Sequence, residues 1–514
     1  MPAPRRRRRR ASHAARRASG ARRGRGSADG HERRSGIVTG GTPVGVLVIG
    51  AGPAGLAAAE AALDAGARVT LLDASDATGG QYWRHLPEER AGEHEARLHH
   101  GFARYERLRD RVVGDAACTV LLGSAVWSVE RSAAAGSGFT VNVATGRVDA
   151  ARAAMSALEP EAIVLATGAH DRTLPFPGWE LPGVFTGGAA QALAKGERVR
   201  VGERVVVAGA GPFLLPVAES VAESGARVIE VVEANRLGRI VRGWAPKPWR
   251  LLGARAKVGE LVGYVSGFLR HRIPYRMGAA VVAAHGTDRV EAVTIARLDT
   301  DWRPIPGTER RVAVDAVCVS HDFTPRLELA IAAGCALDER RFVVVDDSQE
   351  TTVPHVFAAG EITGIGGVDL AMAEGAVAGA AAAGRTPSRN AVRRRRVFSD
   401  FAGRISAAHG IRSGWHHWLH DDTIVCRCEE VGYGRLCSTA ASTDAEGLRS
   451  LKLSTRAGLG ICQGRICGRT VEELLVAASP GDRFLDSVST DRRPIVAPQR
   501  LGDLASLGDG PESP

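Results

Sequence analysis

Four cysteines near the end of the 514-residue chain are spaced to do chemistry together: Cys426-Arg427-Cys428, then 33 intervening residues, then Cys462-Gln463-Gly464-Arg465-Ile466-Cys467. Two clustered thiolate pairs suit either a tetrahedral zinc ion or an iron–sulfur cluster. Zinc sites generally use C-x(2–4)-C, and a C-x-C pair wraps a single ion less well. The better match is a [2Fe–2S] rhomb, in which each of two irons takes two thiolates. Gly458, Gly460, Gly464 and Gly468 surround the second pair, so backbone N–H groups can approach the sulfurs. Cys437 falls outside the pattern. Cys118, Cys318 and Cys335 are isolated in or beside apolar runs, where a free cysteine acts as a small hydrophobe. No Ser/His/Asp or paired-carboxylate signature marks a catalytic residue, so none is assigned.

A second kind of chemistry is written in glycines. The apolar run Val44 to Ile49 leads into Gly50-Ala51-Gly52-Pro53-Ala54-Gly55 and an Ala-rich helix, and a second strand, Arg68 to Leu72, ends at Asp73. This is the dinucleotide fingerprint in its required strand–turn–helix–strand context. Gly50 makes the tight turn, Gly52 admits a pyrophosphate to the backbone, and Gly55 lets helix and strand pack closely. The helix N-terminus supplies N–H groups and positive dipole to phosphates. Asp73, 23 residues after Gly50, can accept from ribose hydroxyls.

The pattern recurs. The strand Arg204 to Ala208 leads into Gly209-Ala210-Gly211-Pro212-Phe213-Leu214, and a later strand, Arg227 to Val232, ends at Glu233. Leu214 replaces the third glycine, which predicts a helix pushed outward or a narrowed phosphate site. Glu233, where a basic residue would serve NADP, disfavours a 2′-phosphate. The expected ligand of this unit is NAD or ATP, held by Gly209, Gly211 and Glu233, or no ligand at all.

Two further strands complete the arrangement: Ala162 to Ala166 ending in Thr167-Gly168, and Val356 to Ala359 ending in Gly360-Glu361. With these motifs, residues 44–385 resemble the two-dinucleotide-fold flavoprotein superfamily. The resemblance implies FAD at the first fingerprint, contacted by Gly50, Gly52, Pro53, Ala54, Gly55, Asp73, Gly80, Gln81, Thr167, Gly168, Gly360 and Glu361. Glu361 stands where that superfamily usually has Asp. Disulfide reductases of the superfamily need a cysteine pair beside the flavin. Here the loop Gly79-Gly80-Gln81-Tyr82-Trp83-Arg84 has no cysteine and the chain has no C-x-x-C, which removes that activity.

The text around the four cysteines, Val425 to Val431 and Thr455 to Gly468, resembles the bacterioferritin-associated-ferredoxin-like [2Fe–2S] domain. In the order found here, the three parts resemble the α (A) subunits of opine oxidases, of D-hydroxyproline and dye-linked proline dehydrogenases, and a hydrogen cyanide synthase subunit. That resemblance implies an oxidoreductase subunit relaying electrons beside a second flavoprotein that oxidises an amino or imino acid. A small ferredoxin-like subunit is implied too, as a further partner. The resemblance implies Cys426, Cys428, Cys462 and Cys467 as the iron ligands. Two other readings are a stand-alone NAD(P)H-dependent flavin/iron–sulfur reductase and a non-enzymatic flavin-binding redox module.

The elements that must position these groups define an α/β chain: two Rossmann-like dinucleotide-binding domains, the second inserted in the first, plus a small C-terminal [2Fe–2S] domain. The expected boundaries are 44–200 with 311–385 for FAD, 201–310 for the insert, 386–425 for a helical linker, 426–480 for the cluster and 481–514 for a tail. The formal charge of +10 is not a nucleic-acid signal. Residues 1–36 hold 13 arginines against Asp29 and Glu32, while the other 478 residues carry 54 basic and 55 acidic side chains. Such an Arg-rich tail, 1–43, is expected to be disordered and dispensable for cofactors. No apolar run reaches the ~18 residues of a membrane span, which places the chain in the cytoplasm or peripherally at the inner face of a membrane. His99-His100 and the Trp415–His420 stretch read as aromatic packing between domains, not as metal ligands.

Overall fold

A computed structural model of the chain describes residues 41–87, 90, 95–132, 137–146, 153–443, 447–478, 492–493 and 495–505. All but the last three residues of the expected Arg-rich tail, and most of the expected C-terminal tail, lie outside the described residues. The first strand runs over Thr42–Ile49, two residues earlier than the apolar run begins.

The first sheet is built from β1 (Thr42–Ile49), β2 (Val69–Leu72), β3 (Cys118–Leu121), β4 (Ser124–Arg131), β5 (Phe139–Thr145) and β6 (Ala154–Leu165), in the order β3-β2-β1-β6-β5-β4. Val356–Ala358 joins it beside β6. The strands around β1 are parallel, as βαβ crossovers require, and β4 to β6 form an antiparallel extension. Parallel strands covered on both faces read as continuous apolar runs, and β1 obeys: Val46 and Val48 face one core with Leu71 and Val164, whereas Leu47 and Ile49 face another with Leu72 and Ile163. Helix α1 (Pro53–Asp64) and the Ala-rich helix Val368–Ala382 cover the first of these faces.

The second sheet is parallel throughout, in the order Tyr275–Met277, Arg227–Glu233, Arg204–Gly209, Ala316–Ser320, Val184–Thr186. Its last two strands come from either side of the expected insert, so the sheet draws on chain beyond 201–310. A small antiparallel sheet, Ala279–His285, Ala292–Arg297 and Arg310–Ala313, packs beneath it.

Beyond residue 385 the chain runs through a 21-residue helix, Arg389–His409, whose first turn is capped by the Ser388 hydroxyl accepting from the Ala391 N–H at 3.2 Å. A 3-10 turn, Ser413–Trp418, leads to the short ladder of Ile424–Cys426 with Val431–Gly432. Helices Tyr433–Thr443, Leu448–Thr455 and Gly468–Ala478 complete the cysteine-bearing unit. Among the described residues no helix is long and apolar enough to cross a membrane.

Candidate functional site

At the first fingerprint α1 starts at Pro53, directly after Gly52, and no side chain caps its first turn. The orphan N–H groups there are left for a ligand. A Cβ on Gly55 would overlap the Gly50 carbonyl oxygen, so only glycine lets the helix lie this close to the turn. The Gly79 N–H donates to the Ala51 carbonyl at 2.8 Å and Gly80 lies against Gly52, which brings the loop carrying Gln81 onto the fingerprint. Asp73 stands half-exposed at the end of β2 and accepts from the N–H groups of Ala51 (2.6 Å) and Ser75 (2.7 Å). A carboxylate offers about four lone-pair sites, so two remain for ribose hydroxyls. An uncapped helix start, an open glycine face and an acid with spare acceptors fit the adenosine diphosphate part of FAD.

The Thr167 hydroxyl donates to the Arg326 carbonyl at 2.8 Å and Gly168 adopts φ 72°, turning the chain at the end of β6. Glu361 differs from the expected reach toward the cofactor chain: its carboxylate accepts from the Gly367 N–H at 2.8 Å and closes the loop ahead of helix Val368–Ala382. A carboxylate that the motifs did not reveal, Glu374 on that helix, accepts instead from the Gly360 N–H (2.9 Å) and the Thr363 hydroxyl (2.8 Å). Burial, followed by the neighbouring Glu361 charge, pushes the Glu374 carboxyl up to about 7.

That shift has a sign. Between the ordinary glutamate range and pH 7 the folded protein keeps a proton that the unfolded chain has lost, so stability falls as pH rises through this window. Over the whole window the loss is about 3 kcal/mol. Glu374→Gln keeps both hydrogen bonds to its Oε1. It is expected to flatten the fall in urea midpoint between pH 5 and pH 8, and an unchanged slope would remove Glu374 as its source.

The four cysteines converge in a chain of side-chain contacts. Cys467 hydrogen-bonds to both Cys426 and Cys462, and Cys462 in turn meets Cys428. Those bonds are the largest influence holding the Cys426 thiol down to about 6 and the Cys462 thiol down to about 4, while Cys467, the shared donor, is pushed up. Backbone N–H groups of Gly458 and Glu429 point at Cys426, and those of Ile466 and Gly464 at Cys462. Gly460 is needed for closeness, because a Cβ there would overlap that of Cys428. Among the described residues no group of three or more His, Cys, Asp or Glu side chains is arranged to hold a metal ion. Cys437 stays apart, beside Tyr433, and Cys318 and Cys335 are buried as expected.

This unit docks on the strand end that follows the Thr167-Gly168 turn. The His170 Nε2–H donates to the Arg465 carbonyl, inside the Cys462–Cys467 loop, at 3.2 Å. The Thr470 hydroxyl donates to the Thr173 carbonyl (3.2 Å), Trp179 Nε1 to the Ile424 carbonyl (2.6 Å), and Arg465 Nε to Glu328 (2.8 Å). None of these partners belonged to a recognisable motif; only the position of His170, three residues past Thr167, hints at it. Within the unit Cys428 is exposed, and Ile461 is 90% exposed.

At the second fingerprint the helix begins late. It spans Leu214–Glu223, entered through a tight turn in which the Leu214 N–H donates to the Gly211 carbonyl at 3.2 Å, and Leu214 turns fully into the core with Val207 and Val217. Leu214 therefore neither pushes the helix outward nor fills a phosphate site. His99 is buried, bonded to the carbonyls of Glu95 and Arg84, and Trp415 and Trp418 are both core residues, as aromatic packing predicts.

Two nucleotide-type sheets, one mixed and one parallel, each with a glycine fingerprint after a central strand, define an α/β two-dinucleotide fold. Residues 44–380 match the pyridine nucleotide-disulphide oxidoreductase model, and the chain belongs to that family. It is a FAD-dependent oxidoreductase. It is 33% identical to the A-type chain of opine oxidase from Agrobacterium tumefaciens (strain Ach5) over 497 residues, 90% of this chain and 91% of that one. It is 30% identical to hydrogen cyanide synthase subunit HcnB of Pseudomonas protegens over 82% of this chain and 89% of its relative. The L-proline dehydrogenase structure from P. horikoshii matches with a TM-score of 0.60 and 19% identity, covering 91% of this chain and 81% of that one, a likeness of fold.

Proposed function

We propose that the chain is the electron-relaying subunit of a heteromeric amino- or imino-acid dehydrogenase of opine, proline or hydroxyproline type. It would carry FAD at the first fingerprint and a [2Fe–2S] cluster on Cys426, Cys428, Cys462 and Cys467. The observation that carries this reading is the bond from His170 to the Cys462–Cys467 loop, which joins the strand end of the flavin domain to the cysteine unit. The full-length likeness to proteins named as subunits supports a second flavoprotein, bearing the amino-acid oxidase activity, as partner. Bound FAD supplies two-electron chemistry and a [2Fe–2S] cluster one-electron chemistry, so together they split electron pairs into single steps.

The chain's own residues have defined tasks in this reading. Gly52 and the first turn of α1 receive the pyrophosphate, and Asp73 orients the ribose. The spacing of one C-x-C pair and one pair in a glycine-rich loop suits two irons side by side better than one zinc. N–H groups at Cys426 and Cys462 would offset the negative charge of thiolate ligands, and burial of Cys426 and Cys467 keeps water from them. Exposed Cys428 and Ile461 leave one edge open to a redox partner.

Anaerobic purification of the full chain tests this. Flavin and iron are expected at one and two equivalents, the latter following from the two-iron stoichiometry. The flavin should be reduced by proline or an opine only when the second flavoprotein is present. Stoichiometric zinc without iron would sink the cluster. Rapid bleaching of the flavin by NADH alone would instead establish the stand-alone reductase, and absence of turnover with every donor and partner would leave a binding module.

A further inference from the structure

We infer that the second dinucleotide fingerprint is a socket for the chain's own linker segment, residues 408–418, which closes it to NAD and ATP and anchors the cysteine unit.

Glu233 is the acid that would accept ribose hydroxyls, and it is fully buried. Its carboxylate already meets five donors. Oε2 accepts from the Gly211 N–H (2.8 Å), from His409 Nδ1–H (3.2 Å) and from the Tyr275 hydroxyl (3.4 Å). Oε1 accepts from both the N–H and the side-chain amide of Asn235, each at 2.9 Å. With about four lone-pair sites on a carboxylate, no acceptor capacity is left for a ribose. Asp73, its counterpart in the first fingerprint, is half-exposed and meets only two. The same motif is thus open in one copy and saturated in the other.

His409 is held where a nucleotide would have to enter. It ends the helix Arg389–His409, and both its ring nitrogens are spoken for, Nδ1–H by Glu233 and Nε2 by the indole N–H of Trp244 at 3.4 Å. Its carbonyl accepts from the Asn235 amide at 3.2 Å. A Cβ on Gly211 would lie 3.6 Å from the His409 Cβ, so the face of Gly211 that a pyrophosphate needs is covered by protein. Arg404, one turn earlier, donates to the carbonyls of Trp244 (2.7 Å) and Lys247 (3.1 Å) and locks the helix in place.

Past the helix Trp418 stacks on Trp302, an indole of the socket itself. Trp302 Nε1 donates to Asn235 at 3.3 Å, Trp418 Nε1 donates to the Trp302 carbonyl at 2.9 Å, and the two rings stack at 6.1 Å. Ala210, the middle residue of the fingerprint turn, shares one continuous core with Trp302, Trp415, Trp418 and the cysteine-unit residues Val425, Cys426 and Cys467. A cradle that elsewhere holds a dinucleotide here holds the base of the cysteine unit. This does not depend on which metal the thiolates carry.

The test uses the FAD-loaded full chain, with ADP-ribose and NAD as probes in calorimetry and hydrogen-exchange mass spectrometry. The unaltered protein is expected to give no saturable heat, and neither probe should change exchange over residues 208–214. One-to-one binding with added protection over 208–214 would overturn the inference. His409→Ala takes the imidazole away from Glu233 and from the mouth of the turn, and is expected to bring ADP-ribose binding into the measurable range, a gain of about tenfold or better. A flavin-loaded His409→Ala protein with no gain would remove His409 as the closing group. If that variant fails to fold, the exchange result on the unaltered protein decides alone.

Discussion

Cys462→Ser is expected to leave a protein that purifies with its flavin and almost no iron. Cys462 stands between Cys467 and Cys428 in the sulfur chain and receives N–H groups from Ile466 and Gly464. The bond from Cys467 is the largest influence holding its thiol down, to about 4. The thiolate is the form that binds metal, and a serine hydroxyl does not ionise near neutral pH. In the proposed cluster, losing this sulfur would remove a ligand from one iron and a contact from each neighbouring thiol. Iron per chain should fall close to zero, with loss of the cluster absorption and of the paramagnetic signal after reduction. Flavin content should hold, because α1 and the fingerprint belong to a separate core. Cys437→Ser, outside the sulfur chain, should change neither. Normal iron in Cys462→Ser would show that the cluster uses other ligands.

What the sequence disclosed was local, and what it withheld was distant. The first fingerprint is a run of six residues whose glycine roles follow from strand and helix geometry, and Asp73 follows 22 residues after Ala51, whose N–H it accepts. The thiolate set could be picked out because its spacing is improbable by chance. Closure of the second fingerprint could not: His409 and Glu233 are 176 positions apart, and no periodicity links a helix end to a strand end. His170 and Arg465 are separated by 295. Glu361 and Glu374 show a subtler failure. The motif predicted an acid near Gly360, but lengthening Asp to Glu lets Glu361 fold back to Gly367, and Glu374, one helix away, accepts from the Gly360 N–H instead. An obstruction at Leu214 requires a helix that begins directly after the second glycine, as α1 does after Gly52. The observed start, three residues past Gly211 rather than one past Gly52, removes the conflict.

That difference in helix start sets the expected result at the equivalent position of the first site. Gly55→Val should abolish flavin binding. Here α1 begins immediately after Gly52, so Gly55 lies in its first turn with the Gly50 carbonyl oxygen where a Cβ would go and the Val48 side chain 3.4 Å beyond. A valine cannot be accommodated by a rotamer change, since the clash is at Cβ and with backbone. Either the first turn of α1 unwinds, as in the second fingerprint, or the helix shifts away from β1. Both remove the N–H groups aimed at the pyrophosphate, and overpacking of this kind costs about 1–3 kcal/mol or more in stability. Flavin per chain should drop at least ~10-fold, the equivalent of about 1.4 kcal/mol in binding. Gly55→Ala should retain a fraction, because only one methyl must be relieved. Leu214→Gly provides the contrast: it empties a buried leucine from the core and should cost about 2–5 kcal/mol in stability, yet leave flavin content intact once the protein is folded. If Gly55→Val kept its flavin while Leu214→Gly lost it, the cofactor would belong to the second fingerprint and the assignment of the two sites would be reversed.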